Sequence, residues 1–188
     1  MGKARKTNLI ETEDWDISLS HILEQMDGKP LNVHKLMAKH PQLLNAWWDF
    51  RNYSVNGGDL GKRKGELVIL RVASYLNSWY EWASHVDRSL QCGLKLDEIM
   101  KVDKPLNEDD WAINEFLLLQ AVDELVQNQN ISKTLYLNLS DFYSDRQIMD
   151  IIAIHGMYII LGCMINIWDI EIENKVVKNI PDSVTMKS

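Results

Sequence analysis

Residues 65–92 read GELVILRVASYLNSWYEWASHVDRSLQC, and their spacing predicts two consecutive helices. Leu67, Leu70 and Leu76 recur at helical spacing, with Ile69 and Val72 filling the stripe, so Leu60 to Tyr75 reads as one helix. Asn77-Ser78 caps the next, with Glu81 three residues after Ser78 as in a capping box. That second helix runs to about Cys92 and stops at Gly93. The short connection between the two predicts antiparallel packing.

The same pattern continues in both directions. Upstream, a short helix around 18–27 is closed by Gly28-Lys29-Pro30, and Pro41 starts another that reaches about Tyr53. Asn56-Gly57-Gly58-Asp59 breaks the chain before the central pair. Downstream, Asp97 to Val102 forms a short helix before Pro105. Asn107 caps a longer one, reaching about Gln127, with Glu108, Asp109 and Asp110 in its first turn. Ser132 starts a helix to about Phe142, and Ser144 starts the last. No stretch alternates as a half-buried strand does, and no linker or internal repeat divides the chain. The expectation is an all-α single domain of seven or eight helices. Residues 1–17 read as an N-terminal arm, 18–168 as the domain, and 169–188 as a loose acidic C-terminal tail.

Composition narrows the function. The 188 residues are 46% hydrophobic and 25% charged, enough apolar surface for a full core. Twenty Lys and Arg against 27 Asp and Glu leave a net charge of −7. Without a basic block this disfavours nucleic acid as partner, because phosphate contacts need clustered cations. Cys92 and Cys163 form no CxxC and no disulfide framework, which points to a reducing compartment, the cytoplasm. The basic start is not followed by an apolar run, so no signal peptide is expected, and Lys6 stands where a myristoylation motif around Gly2 needs Ser or Thr. Residues 151–168 are apolar and long enough to span a bilayer. His155, Asn166 and the acidic flanks Asp150, Asp169 and Glu171 favour a core helix buried on nearly every side, and no membrane partner is expected.

One constellation can carry chemistry. On a helix Ser78, Glu81 and His85 fall at i, i+3 and i+7 and share a face. Glu81, one turn from His85, is expected to favour the imidazolium and to orient the ring. Glu66, on the preceding helix, is a second carboxylate able to face the same histidine. Trp79, Tyr80 and Trp82 supply aromatic walls for a small pocket. An i,i+4 Glu–His pair is also common on solvated helix faces. No metal is expected, since di-iron bundles use Glu-x-x-His at i,i+3 on two helices and this pattern is i,i+4 and occurs once. His21, His34 and His40 read as surface or helix-end residues. His155 reads as a satisfied core histidine, with Tyr158 one turn on as a pocket-lining residue. Arg71 is a candidate counter-charge for an anionic substrate, and Asp123-Glu124 a candidate contribution from a neighbouring helix.

LNVHKLMAKHPQLLNAWWDF and GKRKGELVILRVASYLNSWYEWASHVDRSLQCGLKLDEI together resemble the carboxymuconolactone decarboxylase, or AhpD-like, family. The matching features are the "lN…HP.ll" segment, the "rELviLrva" helix, the "YEwa.H" helix and the "GL…eI" turn. AVDEL at 121–125 and Gly156-x-Tyr158 also fit its longer members, so the resemblance spans roughly 29–168. It implies an AhpD-like helical bundle that assembles into trimers or hexamers. Peroxidase-supporting members carry a Glu, eleven residues, Cys-x-x-Cys, three residues and a His. Here these positions hold Glu66, Ser78, Glu81 and His85, so both sulfurs are replaced. A hydroxyl and a carboxylate cannot form or resolve a disulfide, which argues against dithiol peroxidase activity.

The resemblance therefore implies a cofactor-independent lyase of the decarboxylase type, acting on a small carboxylic acid or lactone. In that reading His85, Glu81 and Glu66 are catalytic, and Ser78, Tyr80, Trp82 and Tyr158 bind substrate. His85 gives the proton, Glu81 orients it, Glu66 assists, and Tyr80 or Ser78 holds the substrate carbonyl. The same apparatus serves an isomerisation or a hydration. The alternative is a non-catalytic oligomer binding a small molecule or protein partner, which the seven Trp also suit. Redox chemistry at Cys92 is disfavoured, because a helix C-terminus opposes a thiolate.

Overall fold

The computed structural model describes residues 7–181. Over that range the elements are α1 (Ser20–Gln25), α2 (Asn32–Met37), α3 (Pro41–Val55), α4 (Lys62–Tyr75), α5 (Trp79–Gln91), α6 (Leu96–Val102), α7 (Ile113–Asn128), α8 (Lys133–Ser140) and α9 (Asp145–Trp168), with short 3-10 turns between some of them. No described residue is in a strand. The questions raised by Gly2 and Lys6 lie outside the described residues.

Helix α4 is the axis of the fold. Every residue from Gly65 to Ala73 is buried, and α5, α6, α7 and α9 pack around it. The apolar stripe expected for this helix is thus a stretch enclosed on all sides, and the two charged residues within it, Glu66 and Arg71, go inside with it. Buried charges need partners. Arg71 bonds both oxygens of Asp123 at 2.6 and 2.8 Å and the carbonyls of Val102 and Lys104. It is therefore a clamp between α4, α6 and α7, not a counter-charge for substrate, and Asp123 is spent on it. At the start of α4, Arg63 joins Glu98 of α6 to Glu115 of α7.

Helix starts follow the sequence closely where a side chain can cap them. Ser144 accepts from the Gln147 N–H at the head of α9, and Ser132 does the same for Leu135 in α8. Two expectations fail. Asn107 caps only a 3-10 turn, Glu108–Asp110. Trp111 is extended (φ −134°, ψ 151°), so α7 begins afresh at Ile113. Ser78 precedes α5 but makes no capping bond. Helix α2 has six residues, too few for a periodic signal.

Helix α9 crosses α3, α4 and α7. It is the one described helix long and apolar enough to cross a membrane by length and composition, and half of its most apolar window is buried. It is not buried on nearly every side, as its sequence suggests: Met149, Ile152, Ile160 and Ile167 are exposed. The tail also departs from expectation. Ile170 and Val176 are buried, Glu173 Oε1 accepts from the Asn32 N–H and the Tyr80 hydroxyl (both 2.7 Å), and Asn179 Nδ2 donates to the Ala83 carbonyl. Residues 170–181 are a strap across α5 rather than a loose end.

Candidate active site

Glu66 of α4 and His85 of α5 meet between the two antiparallel helices. His85 Nδ1 lies 2.6 Å from Glu66 Oε2, and its Nε2 lies 2.9 Å from the Tyr158 hydroxyl of α9. Arg88, one turn beyond His85, donates through Nε to Glu66 Oε1 at 3.0 Å and through Nη2 to the Val55 carbonyl at 2.9 Å. Ser89 Oγ stands 3.5 Å from Glu66 Oε2. Burial pushes the Glu66 carboxyl up. The charge and hydrogen bond of His85, with those of Arg88, outweigh it and hold the carboxyl below its ordinary value. Glu66 is therefore a carboxylate, and His85 Nδ1–H donates to it. This bond fixes the tautomer and leaves Nε2 to exchange a proton with the Tyr158 hydroxyl. Burial first, then Glu66 and Glu81, push the Tyr158 phenol well above its usual value, so it keeps its proton.

Glu81 behaves differently. The expected Glu81–His85 pair does not form. Glu81 turns instead under α9, which approaches closely because residue 162 is glycine. A Cβ there would sit 2.6 Å from Leu76 Cδ1 and 3.0 Å from Glu81 Oε2. Both Glu81 oxygens are buried without a hydrogen-bond partner. Burial pushes this carboxyl well above the ordinary value, opposed only by the nearby Ser78 hydroxyl, so Glu81 is a neutral acid.

A cavity of about 40 Å³ opens on this group. Its wall includes Tyr80, Glu81, Ser84 and His85 of α5, Met157, Tyr158 and Leu161 of α9, Trp47 and Arg51 of α3, and Leu31, Val33 and His34 around α2. Glu81, His85, Tyr80 and Tyr158 thus share one space, with Glu66 directly behind His85. Tyr80 reaches it with its hydroxyl already engaged: it donates to Glu173 and accepts from the Val33 N–H. Ser78 and Trp82, read from sequence as substrate contacts, are not in the wall. The wall of α5 is its 80/84 and 81/85 face. Residues 78 and 82 lie around the helix from its centre, and Trp82 is fully buried in the core.

The residues that sequence reasoning missed here are Arg51, Arg88, Trp47, Ser84 and His34. Arg88 had a signal, since it follows His85 at i+3 on the same face. His34 reads as a helix-end residue but is buried. Its Nδ1 accepts from the Leu31 N–H at 3.2 Å, and burial first, then Arg51, push its pKa down to about 3. His155 is half-buried, and its Nε2 has no partner. The described residues contain no cluster of His, Cys, Asp and Glu that could hold a metal. Cys92 and Cys163 are free and lie outside the cavity wall.

Residues 41–103, from α3 to the end of α6, match the family model for carboxymuconolactone decarboxylase. Over that third of its length the chain is similar to that family. Around that segment the solved structures extend the likeness to nearly the whole chain. An AhpD-core, peroxidase-related protein from Ralstonia eutropha superposes with a TM-score of 0.80 at 16% identity, covering 94% of this chain and 96% of that one. A debrominase, Bmp8, solved as a cysteine-to-alanine variant with 2,3,4-tribromopyrrole, gives 0.76 at 15% identity over 95% and 96%. A peroxidase-related protein from a Silicibacter species gives 0.74 at 18% identity over 93% and 95%. At these identities the likeness shows the AhpD-like fold. No curated protein matches the sequence. The matched segment contributes Glu66, Glu81 and His85, whereas Tyr158 and His34 join the cavity from outside it.

Proposed function

We propose that this chain is a cofactor-independent acid–base enzyme of the carboxymuconolactone decarboxylase type, acting on a small carboxylic acid or lactone. The observation that carries this reading is His85, fixed between the Glu66 carboxylate and the Tyr158 hydroxyl at the wall of a small cavity. In a decarboxylation the C–CO2 bond breaks and its electron pair passes into the adjoining carbonyl system, giving an enolate. Glu81, as a neutral acid, and Tyr158 are the donors that can hydrogen-bond that oxygen as charge builds up. His85, held in place by Glu66, returns a proton to carbon in its protonated form, either directly or through Tyr158, and is reprotonated from water. No oxidant is needed. Ser78 and Glu81 occupy the positions of the family's redox cysteines, which removes the dithiol route.

The small cavity favours one second reading, a non-catalytic module that binds a small ligand. A solution assay separates them. Lactone acids and β,γ-unsaturated acids are offered to wild type and His85→Gln, following CO2 release and solvent deuterium incorporation at carbon. The enzyme reading expects turnover that falls about 10²- to 10⁴-fold in the variant. Binding without turnover in wild type replaces it with the second reading.

We also propose that the active form is a homo-oligomer in which α9 of one copy packs antiparallel on α9 of another. Met149, Ala153, Gly156, Ile160, Cys163 and Ile167 recur at alternating steps of four and three along its outer face. A Cβ at Gly156 would meet nothing within 4 Å. Antiparallel pairing about residue 158 sets Gly156 against Ile160, Ala153 against Cys163 and Met149 against Ile167. It also brings the Arg146 end of one helix to the Asp169 end of the other. Light scattering of wild type and Ile160→Glu tests this: an oligomer that the substitution dissociates supports the contact, and a monomeric wild type overturns it.

A further inference from the structure

We propose that Arg51 is the anion-docking group of the cavity, taking the carboxylate of the substrate. This inference rests on the cavity being the active site and names the charge its ligand carries. The five described arginines differ in one respect. Arg63, Arg71, Arg88 and Arg146 each bond an Asp or Glu carboxylate. Arg51 bonds none. Its Nη1 donates to the Asn52 side-chain oxygen at 3.0 Å, and its guanidinium lies over the Trp48 ring, 5.2 Å from the centroid. Yet Arg51 lines the cavity beside His85 and Tyr158.

A guanidinium keeps its charge, so a half-buried one without a counterion is held at a cost that an incoming anion relieves. Its surroundings make the point sharper. Burial and the nearby Arg88 both work against the Arg51 cation. The two carboxyls that would repel an anion do not: Glu66 is matched by His85 and Arg88, and Glu81 is neutral. His34 adds a neutral donor, because its Nδ1 is occupied by Leu31 and its proton must then sit on Nε2. The cavity thus offers one unpaired cation and several uncharged donors, which is the setting for a single carboxylate.

Size sets the rest of the ligand. About 40 Å³ takes a carboxylate head and little more. Next to it lies a groove of about 280 Å³, walled by Asp87, Glu173, Lys175 and Val176, which shares Leu31 and Ser84 with the cavity. A ligand with its carboxylate on Arg51 therefore extends toward Ser84 and the C-terminal strap, passing His85. The class is a small monocarboxylic acid, its reacting carbon within a few bonds of the carboxylate.

The test is a binding titration with acetate, levulinate and the methyl ester of levulinate, read by tryptophan fluorescence, since Trp47 lines the cavity and Trp48 lies under Arg51. Wild type, Arg51→Gln and Arg51→Lys are compared. The acids are expected to bind wild type at millimolar concentration, and the ester not to bind. Arg51→Gln is expected to lose roughly tenfold or more in affinity, with partial retention in Arg51→Lys. Equal binding of acid and ester, unchanged affinity in Arg51→Gln, or no binding of either acid to wild type overturns the proposal. If Arg51→Gln does not fold, the acid–ester comparison on wild type and the Arg51→Lys titration decide it. Acid binding that depends on Arg51 without any turnover sinks the enzyme reading and leaves this one standing.

Discussion

Glu66 and Glu81 sit on neighbouring helices and are equally buried, yet one is a carboxylate and the other a neutral acid. Glu66 meets an imidazole, a guanidinium and a hydroxyl; Glu81 meets no partner at hydrogen-bonding geometry. Burial alone raises both carboxyls, and only the partners decide which one ionises. The comparison teaches that this site is built from one fixed charge and one stored proton. Glu66 holds His85 in place. Glu81 is a neutral donor facing the same cavity.

The most damaging way to break the contrast is Glu66→Ala. It leaves the His85 ring nitrogen and the Arg88 guanidinium without their anion inside the protein. Removing one partner of a buried ion pair costs about 3–5 kcal/mol, and urea unfolding at neutral pH should show a loss of that order. A loss under about 1 kcal/mol would mean that Arg88, which is partly exposed, simply turns to water and the network adds little.

Stability against pH sharpens the contrast next, because the two residues give slopes of opposite sign. The Glu66 carboxyl is held below its unfolded value. Its contribution is present above that value and is lost as pH falls through the folded pKa. The Glu81 carboxyl is held above its unfolded value. Its contribution is intact below the unfolded value near 4.5 and is lost as pH rises toward the folded pKa. Glu81→Gln copies the neutral acid and titrates nothing. It should fold as well as wild type at low pH and gain on it as pH rises, by up to about 1.4 kcal/mol per pH unit within that window. Parallel curves for wild type and Glu81→Gln would show that the Glu81 carboxyl titrates in the fold as it does in the unfolded chain, and would overturn the neutral-acid reading.

How much of this was legible in the sequence depends on chain distance. The Glu66–His85 contact was, because the two residues stand on consecutive helices whose short connection forces them antiparallel. The all-α fold was, because caps such as Ser132 and Ser144 mark helix starts locally. Glu81 was placed at the site but given the wrong role. Spacing puts it one turn from His85, and only the close approach of α9 at Gly162 shows that it turns away. Arg51 and His34 were not legible as site residues. Arg51 follows the Leu- and Trp-rich stretch of its helix and His34 lies in a helix too short for a periodic signal, and what brings each to the site is the cavity it shares with α5 and α9, far along the chain. Arg71 and Arg88 show the same limit. Both follow a site residue on its own helix, yet one is bound by Asp123 and the other by Glu66.

The smallest effect tests what keeps Glu81 dry. Gly162→Ala puts a methyl group 2.6 Å from Leu76 Cδ1 and 3.0 Å from Glu81 Oε2. The Leu76 methyl is the end of a flexible side chain and can swing aside, so overpacking should cost only about 1–2 kcal/mol, at the low end for a core insertion. The informative readout is the pH slope. If α9 is pushed away from α5, water reaches the Glu81 carboxyl, burial no longer suppresses its charge, and the decline in stability on raising pH should flatten toward that of Glu81→Gln. If the decline keeps its wild-type steepness while stability falls, Glu81 is kept neutral by the walls of the cavity rather than by the α5–α9 contact. Arg51 and Tyr158, which share that wall, would then be the groups to vary.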